Sequence, residues 1–288
     1  MNQSQQTKIE ALKKRYYQAI DGKQSVIELI DSAEISEHIY NSNAIENSTL
    51  SLAETEKILL EIELDRYITS REIFEAKNLA RVMRYISKNA DKNTLNESVI
   101  LLLHQMLISN IDDSIAGRFR QEGELVRVGS HIAPMADEIN ARMKDMLIQY
   151  HASDTQNIIT RIATLHLAFE HTHPFMDGNG RIGRVINNYL LIRAGYTPIN
   201  IKFSNRVQYY EAFAEYDLTG KVKKMETIVY QALLNSLHKR LAYLTSKKII
   251  KLADYAKIEK KSYSNLLNKA NRQTIAAFLE KGVWKIGV

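Results

Sequence analysis

Apolar residues recur along most of this chain at intervals of three and four. Ile158, Ile162, Leu165 and Phe169 follow a 4-3-4 spacing, which predicts an amphipathic helix with one buried face. Pro174 ends it, because proline supplies no N–H and restricts the residue before it. Ile182, Val185, Ile186, Tyr189 and Leu190 restart the period, and Gly195 reads as the stop of that second helix. Ile9, Leu12, Tyr16 and Ile20 predict a helix within the first thirty or so residues. Ile35, His38 and Ile39 suggest another, residues 50–92 read as two more, and Leu102, Leu103, Met106 and Leu107 mark a core helix over 96–110. The pattern breaks at Gly117–Pro134, where Leu125-Val126-Arg127-Val128 favours strand between glycines. With only three prolines in the chain, the expected fold is mostly α with a small hairpin.

Toward the end, Leu252, Tyr255 and Ile258, then Tyr263–Leu267 and Ala270–Phe278, predict two or three short helices. Trp284-Lys285-Ile286 follows as a wing or final strand. Charge separates this region from the rest. From residue 221 onward there are 15 Lys+Arg against 4 Asp+Glu, so the net +6 of the chain arises here. A small winged helix-turn-helix module fits this order, and nucleic acid binding through it is an expectation. A basic solvated face, a homodimer contact or a target-docking module fits equally well.

At 288 residues there is room for one main domain and a small appendage. The absence of cysteine excludes disulfides, thiolate zinc sites and a cysteine nucleophile. The start, Met1-Asn2-Gln3-Ser4-Gln5-Gln6, has no apolar signal core, and no stretch approaches the ~18 apolar residues of a membrane span. A cytoplasmic location is the expectation.

The richest chemistry lies between the two central helices, in His173-Pro174-Phe175-Met176-Asp177-Gly178-Asn179-Gly180-Arg181-Ile182-Gly183-Arg184. The first turn of a helix has unpaired N–H groups and a partial positive charge. Glycines there let an anion approach the backbone, which makes a phosphate cradle of Gly178, Asn179, Gly180 and Gly183. Arg181 and Arg184 add forked donors that suit phosphate oxygens. Asp177 is a carboxylate suited to Mg²⁺, and His173 is the natural general base.

These twelve residues match the Fic signature, His-Pro-Phe-x-Asp/Glu-Gly-Asn-Gly-Arg-x-x-Arg, at every fixed position. The chain thus resembles Fic proteins, mostly adenylyltransferases (AMPylators) that move AMP from ATP to a Ser, Thr or Tyr hydroxyl of a target protein. The resemblance implies a Fic catalytic core over 95–235 and an N-terminal helical region over 1–94 that carries an inhibitory helix; the charge and element order above place the small basic helix-turn-helix-like domain over 245–288. Ser42-Asn43-Ala44-Ile45-Glu46-Asn47 is similar to the family's inhibitory Ser/Thr-x-x-x-Glu-Gly/Asn motif (the class II type). In that resemblance Glu46 pairs with Arg184, and an arginine held by a carboxylate cannot also hold the ATP γ-phosphate. Leu125, Val126, Arg127 and Val128 resemble the family's flap, a hairpin whose edge docks an extended target segment. Asn188, Tyr209 and Tyr210 fall where Fic proteins close over the nucleotide, although a tyrosine pair at helical spacing equally fits a packed core. Glu75 and Asn78 resemble a recurring Glu-x-x-Asn pattern and read as structural.

Three readings compete at this point. The first is AMP transfer. The second is other phosphate chemistry on the same scaffold, including AMP removal with Glu46 orienting a water. The third is a DNA-binding regulator with a Fic sensor region. A metal hydrolase built on His131, His171, His173 and Asp177 is set aside, since the spacing matches no zinc pattern and leaves Asn179 and both arginines without a role.

Overall fold

The computed structural model describes residues 1–128 and 131–288; Gly129 and Ser130, within the expected hairpin stretch, lie outside the described residues. Among the described residues there are twelve α-helices and five short strands, with small antiparallel pairings only. Among the described residues no helix is long and apolar enough to cross a membrane. The chain divides into two compact units. One comprises residues 35–196 and 201–226, the other 1–34, 197–200 and 227–288.

The first unit is built around two helices, α7 (Ile158–Thr172) and α8 (Asn179–Arg193). Asn157 caps α7 by accepting from the N–H of Thr160, and Ile162, Leu165 and Phe169 are buried as the 4-3-4 spacing predicts. α7 ends at Thr172, directly before the His173-Pro174 pair. It packs on α6 (Ala136–Ala152), α8 and α9 (Arg206–Thr219), while α8 also meets α4 (Ser70–Asn89) and α5 (Glu97–Ile108). α8 is buried on all sides, although Asn179, Arg181, Arg184, Asn187 and Asn188 are polar. A helix buried all round is normally apolar all round. Its polar residues therefore mark a place where stability gives way to chemistry. The helical stretch around Ile35–Ile39 is part of α2 (Gln24–Ile45). The hairpin is shorter than expected: β1 (Arg127–Val128) pairs with β2 (His131–Ile132), and Leu125 and Val126 precede it.

The second unit holds α1 (Gln3–Ala19) and a five-element module, β3 (Ile249–Lys251), α11 (Leu252–Ile258), α12 (Tyr263–Asn271), β4 (Ala277–Glu280) and β5 (Val283–Gly287). The strands form one antiparallel sheet in the order β3-β5-β4. Leu252, Ala256, Leu266, Ala270, Ala277 and Ile286 fill its core. This is a helix-turn-helix with a hairpin wing. One expectation is corrected here. The helix over Ala270–Phe278 stops at Asn271, and Ala277 and Phe278 are a strand, paired with Ile286 and Lys285.

His238, on α10 (Lys223–Thr245), is buried in this unit with Nδ1 2.9 Å from Gln273 Oε1. Burial pushes its imidazole down to about 4. An unfolded histidine titrates near ~6.5, so between those values the unfolded chain binds the extra proton. Stability should therefore fall as pH drops from ~6.5 to ~4, by up to ~3 kcal/mol from this group. Urea unfolding across that range should show a shallower pH slope for His238→Gln than for the parent chain. Equal slopes would mean that His238 is not held neutral.

Candidate active site

The loop between α7 and α8 opens on a strained residue. His173 caps α7 in the left-handed region, φ 48°, with its N–H donating to the Phe169 carbonyl at 2.9 Å. Glycine usually takes that position; a histidine there has a cost and points to a role for its side chain. His173 Nδ1 lies 3.3 Å from the Glu170 carbonyl, which can only accept. The ring's other nitrogen, Nε2, then carries the lone pair. Burial pushes this imidazole down to about 4, so it is neutral near pH 7.

Four anchors fix the loop. Asn179 closes it from within: Phe175 N–H donates to its Oδ1 at 2.9 Å, and its Nδ2 donates to the Phe175 carbonyl at 2.8 Å. His104, fully buried on α5, stacks flat on Phe175 at 3.7 Å. Its Nδ1 accepts from Gly117 N–H, so its Nε2–H donates to the Asp177 carbonyl, 3.0 Å away. Arg120 donates through Nε to the His173 carbonyl and through its backbone N–H to the Pro174 carbonyl, both at 2.9 Å. Gly178 completes the turn at φ 80° and caps α8.

Charge gathers on either side of the loop. Asp177 is held by Arg181 at 3.0 Å and by Arg71 of α4. Burial alone would raise its pKa, but the two arginines outweigh it and hold the carboxyl below the usual range. Glu75 bridges the same arginines at 3.1 Å each. Across the loop, Arg184 is buried with every nitrogen engaged. Nε donates to Ser42 Oγ at 3.0 Å, Nη1 to the Tyr209 hydroxyl at 3.4 Å and Nη2 to the Ser42 carbonyl at 2.8 Å. Nη2 also pairs with Glu46 Oε1 at 2.9 Å. That carboxylate hangs over the start of α8: a Cβ on Gly180 would come within 2.1 Å of Glu46 Oε1. An acidic side chain thus sits at the anion cradle of the helix N-terminus. Asn47, at φ 69°, ends α2, with Asn47 N–H bonded to Ala44 O and Ser48 N–H to Asn43 O. This is a Schellman stop, which explains asparagine at that position.

A cleft of about 520 Å³ opens between these groups, bordered by Glu46, Arg71, Val128, His173, Asp177 and Gly180. The other expected residues are placed variously. Gly183 faces α7 rather than the cleft: a Cβ there would meet Glu170 Oε1 at 2.4 Å and His166 Cε1 at 2.8 Å. Asn188 is buried one turn beyond Arg184 and donates to its carbonyl at 3.4 Å. Tyr209 is 1% exposed, its hydroxyl 2.7 Å from His166 Nε2, so packing claims its ring. Tyr210 is 36% exposed and bonds the Ile45 carbonyl at 3.2 Å.

Residues 94–191 match the Fic/DOC family. The chain carries a Fic/DOC domain. Its likeness to solved Fic structures extends over the fold. A Fic domain containing signalling protein from Bacteroides thetaiotaomicron superposes with TM-score 0.73 at 21% identity, over 88% of this chain and 98% of that one. Fic-1 from C. elegans gives 0.71 at 22% identity, over 83% and 71%. A curated relative from Drosophila melanogaster, named protein adenylyltransferase Fic, is 30% identical over 218 residues. That alignment takes in 70% of this chain but 43% of the relative, so the chain spans less than half of the curated protein it matches.

Within the Fic/DOC domain, sequence patterning misses His104, Arg120, His166 and Glu170. Arg120, His166 and Glu170 lie on a regular helix or loop with no local mark of their task. Outside the matched span it misses Arg71, 106 positions from Asp177. His104 does carry a signal, as a polar residue on an otherwise apolar helix face. Glu170 is the more unusual group: its Oε1 is buried with no partner, and burial pushes its carboxyl up to about 8. It is a neutral acid packed behind Gly183.

That packing sets a test. Gly183→Ala drives a methyl into Glu170 and His166, so those two buried side chains, or the helices that carry them, must shift. Overpacking of this kind typically costs ~1–3 kcal/mol. Thermal unfolding of Gly183→Ala should show a clear loss, and a chain as stable as the parent would mean that the contact yields freely.

Proposed function

We propose that the chain is a protein adenylyltransferase, moving AMP from ATP to a Ser, Thr or Tyr hydroxyl of a target protein or of itself, and that Glu46 holds it in check. The observation that carries this reading is the Glu46 carboxylate, paired with Arg184 and lying over Gly180 where a phosphate would bind. The curated relatives' name, protein adenylyltransferase, supports the choice of reaction.

In this reading the phosphates of ATP rest on the backbone of Gly178, Asn179 and Gly180, with Arg181 beside them. Arg184 takes the γ-phosphate once Glu46 has left, and so sets the α-phosphate in line. His173 Nε2 takes the proton of the target hydroxyl. The hydroxyl oxygen bonds to the α-phosphorus as the bond to the bridging oxygen breaks, and pyrophosphate leaves with that electron pair. Asp177 is a hard oxygen donor on the cleft wall, which fits Mg²⁺; it would hold the ion, and the bound ion would offset polyphosphate charge. Arg71 must then release Asp177. Tyr210, partly exposed, is the ring left to stack on the base. Leu125, Val126, Arg127 and Val128 offer the edge on which a target segment docks, and the exposed Leu125 and Val128 give it apolar purchase. Positioning and electrostatics supply the rate.

A specific observation also favours a second activity. The helix-turn-helix and wing of residues 249–287 lie in the basic end of the chain, an arrangement that suits duplex DNA. Binding of the full chain to duplex that weakens steeply with salt would support it.

Two measurements test the transferase reading. Incubated with target protein, the chain should transfer label from ATP marked at the α-phosphate and none from ATP marked at the γ-phosphate. His173→Ala should lower this transfer ~10²–10⁴-fold while nucleotide binding persists. Label from the γ-position would redirect the reading to phosphate transfer, and full activity without His173 would remove it as the base. The second concerns Glu46. Misplacing a reacting group by ~1 Å can cost ~10²-fold, so Glu46→Gly should raise self-labelling by about that factor. Adding Arg184→Ala should return it to the parent level. No gain in Glu46→Gly would end the inhibitory assignment, and a double variant as active as the single one would show that Arg184 is not its route.

A further inference from the structure

Three side chains that the transfer reaction does not use meet beside the hairpin. They are His131 on β2, His171 on α7 and Asp217 on α9. One carboxylate oxygen of Asp217 lies 2.8 Å from His171 Nδ1, and the other lies 3.7 Å from His131 Nδ1. The three ligand atoms are all within 4.8 Å of one another. The two imidazoles lean together at 4.6 Å, tilted by 44°. All three side chains keep partial access to solvent.

The proton arrangement is the telling part. His131 Nε2 lies 2.8 Å from the His171 carbonyl oxygen. A carbonyl only accepts, so Nε2 carries the N–H, and a neutral His131 has its lone pair on Nδ1. That lone pair faces the Asp217 carboxylate, which is also an acceptor. Two acceptors turned toward each other call for a positive charge between them, either a proton or a metal ion.

We propose that His131, His171 and Asp217 bind Zn²⁺, through Nδ1 of each imidazole and one carboxylate oxygen. Zinc–ligand distances of ~2.0–2.2 Å put neighbouring donors of a tetrahedral site ~3.3 Å apart. The three ligand atoms, all within 4.8 Å of one another, need small side-chain shifts to reach that spacing around one ion. Two imidazoles and a carboxylate are a zinc donor set, and three protein ligands leave a fourth position for water. The bond from His131 Nε2–H to a backbone carbonyl is the outer contact that orients metal-ligating histidines. On binding, His171 gives up the Nδ1–H that meets Asp217 and carries its proton on Nε2 instead. The donors are spread over 87 positions of sequence, so no motif announces them.

The ion would tie the hairpin to two helices of the core. β2 is one strand of the hairpin, α7 leads into the His173 loop, and α9 carries Tyr209 and Tyr210. A bound Zn²⁺ therefore acts as a clasp that fixes the docking edge. Binding is measured without ATP, so its failure and that of the transferase reading are separate results.

The experiment is a calorimetric titration of the metal-stripped chain, residues 1–288, with Zn²⁺ alone. One equivalent should bind. His131→Gln and Asp217→Asn should each weaken it at least ~10-fold, while Asp177→Asn should leave it in place. Tryptic cutting at the exposed Arg127 should slow in the parent chain on adding Zn²⁺, and not in His131→Gln. A parent chain that binds no equivalent, or one whose binding survives both His131→Gln and Asp217→Asn, overturns the site. Tight binding with unchanged cutting at Arg127 overturns the clasp.

Discussion

Arg184 is a permanent cation, 4% exposed, in the middle of a packed unit. A guanidinium so placed must have its donors met, because an unpaired buried charge costs several kcal/mol. Ser42 meets it twice, Tyr209 once, and Glu46 supplies the opposite charge. Tyr209 can do so because His166 takes the other side of its hydroxyl. Gly180 and Gly183 flank the same arginine, where any side chain would strike Glu46, Glu170 or His166. The end of α2, the start of α8 and the facing surfaces of α7 and α9 are thus placed by what one cation needs. Removing Glu46 alone leaves that cation short of a counter-charge, and a phosphate is the natural replacement.

The loop itself is held by contacts that do not involve Arg184. His104, Arg120 and Asn179 all bond to its backbone. None of these bonds involves Glu46 either. Preorganised donors need not rearrange as charge develops, which is where such sites gain most. Two side chains at its rim carry pairs that the proposed reaction would have to break: Glu46 on Arg184 and Arg71 on Asp177.

Much of this was legible because the chain marks its helix ends plainly. Pro174, Gly178 and Gly195 punctuate a clear 3.6-residue period, so the loop and its two helices could be drawn from spacing. The pairing of Glu46 with Arg184 came from motif resemblance; spacing alone would not give it, as the two are 138 positions apart. Arg71 on Asp177 has neither period nor motif to reveal it, and His104 shows only as a polar residue on an apolar face. Depth was hidden too: Tyr209 and Tyr210 are adjacent in sequence, yet one is core and the other rim. Local propensity favours helix at Ala276 and Ala277, and pairing with β5 makes Ala277 and Phe278 a strand instead.

Asn47 in its left-handed turn closes a helix, and the residues that grip Arg184 lie on that helix's last turn. That turn is buried from Asn41 to Ile45, so it opens only by local unfolding of packed structure and not by the free fraying of an isolated helix end. One such opening would free the Ser42 carbonyl and Glu46 together, since the same turn holds both. If Arg184 serves the nucleotide as proposed, the stability of that one turn would set how often the carboxylate yields the guanidinium to polyphosphate, and a ligand that stiffened the turn would lower output without touching the cleft.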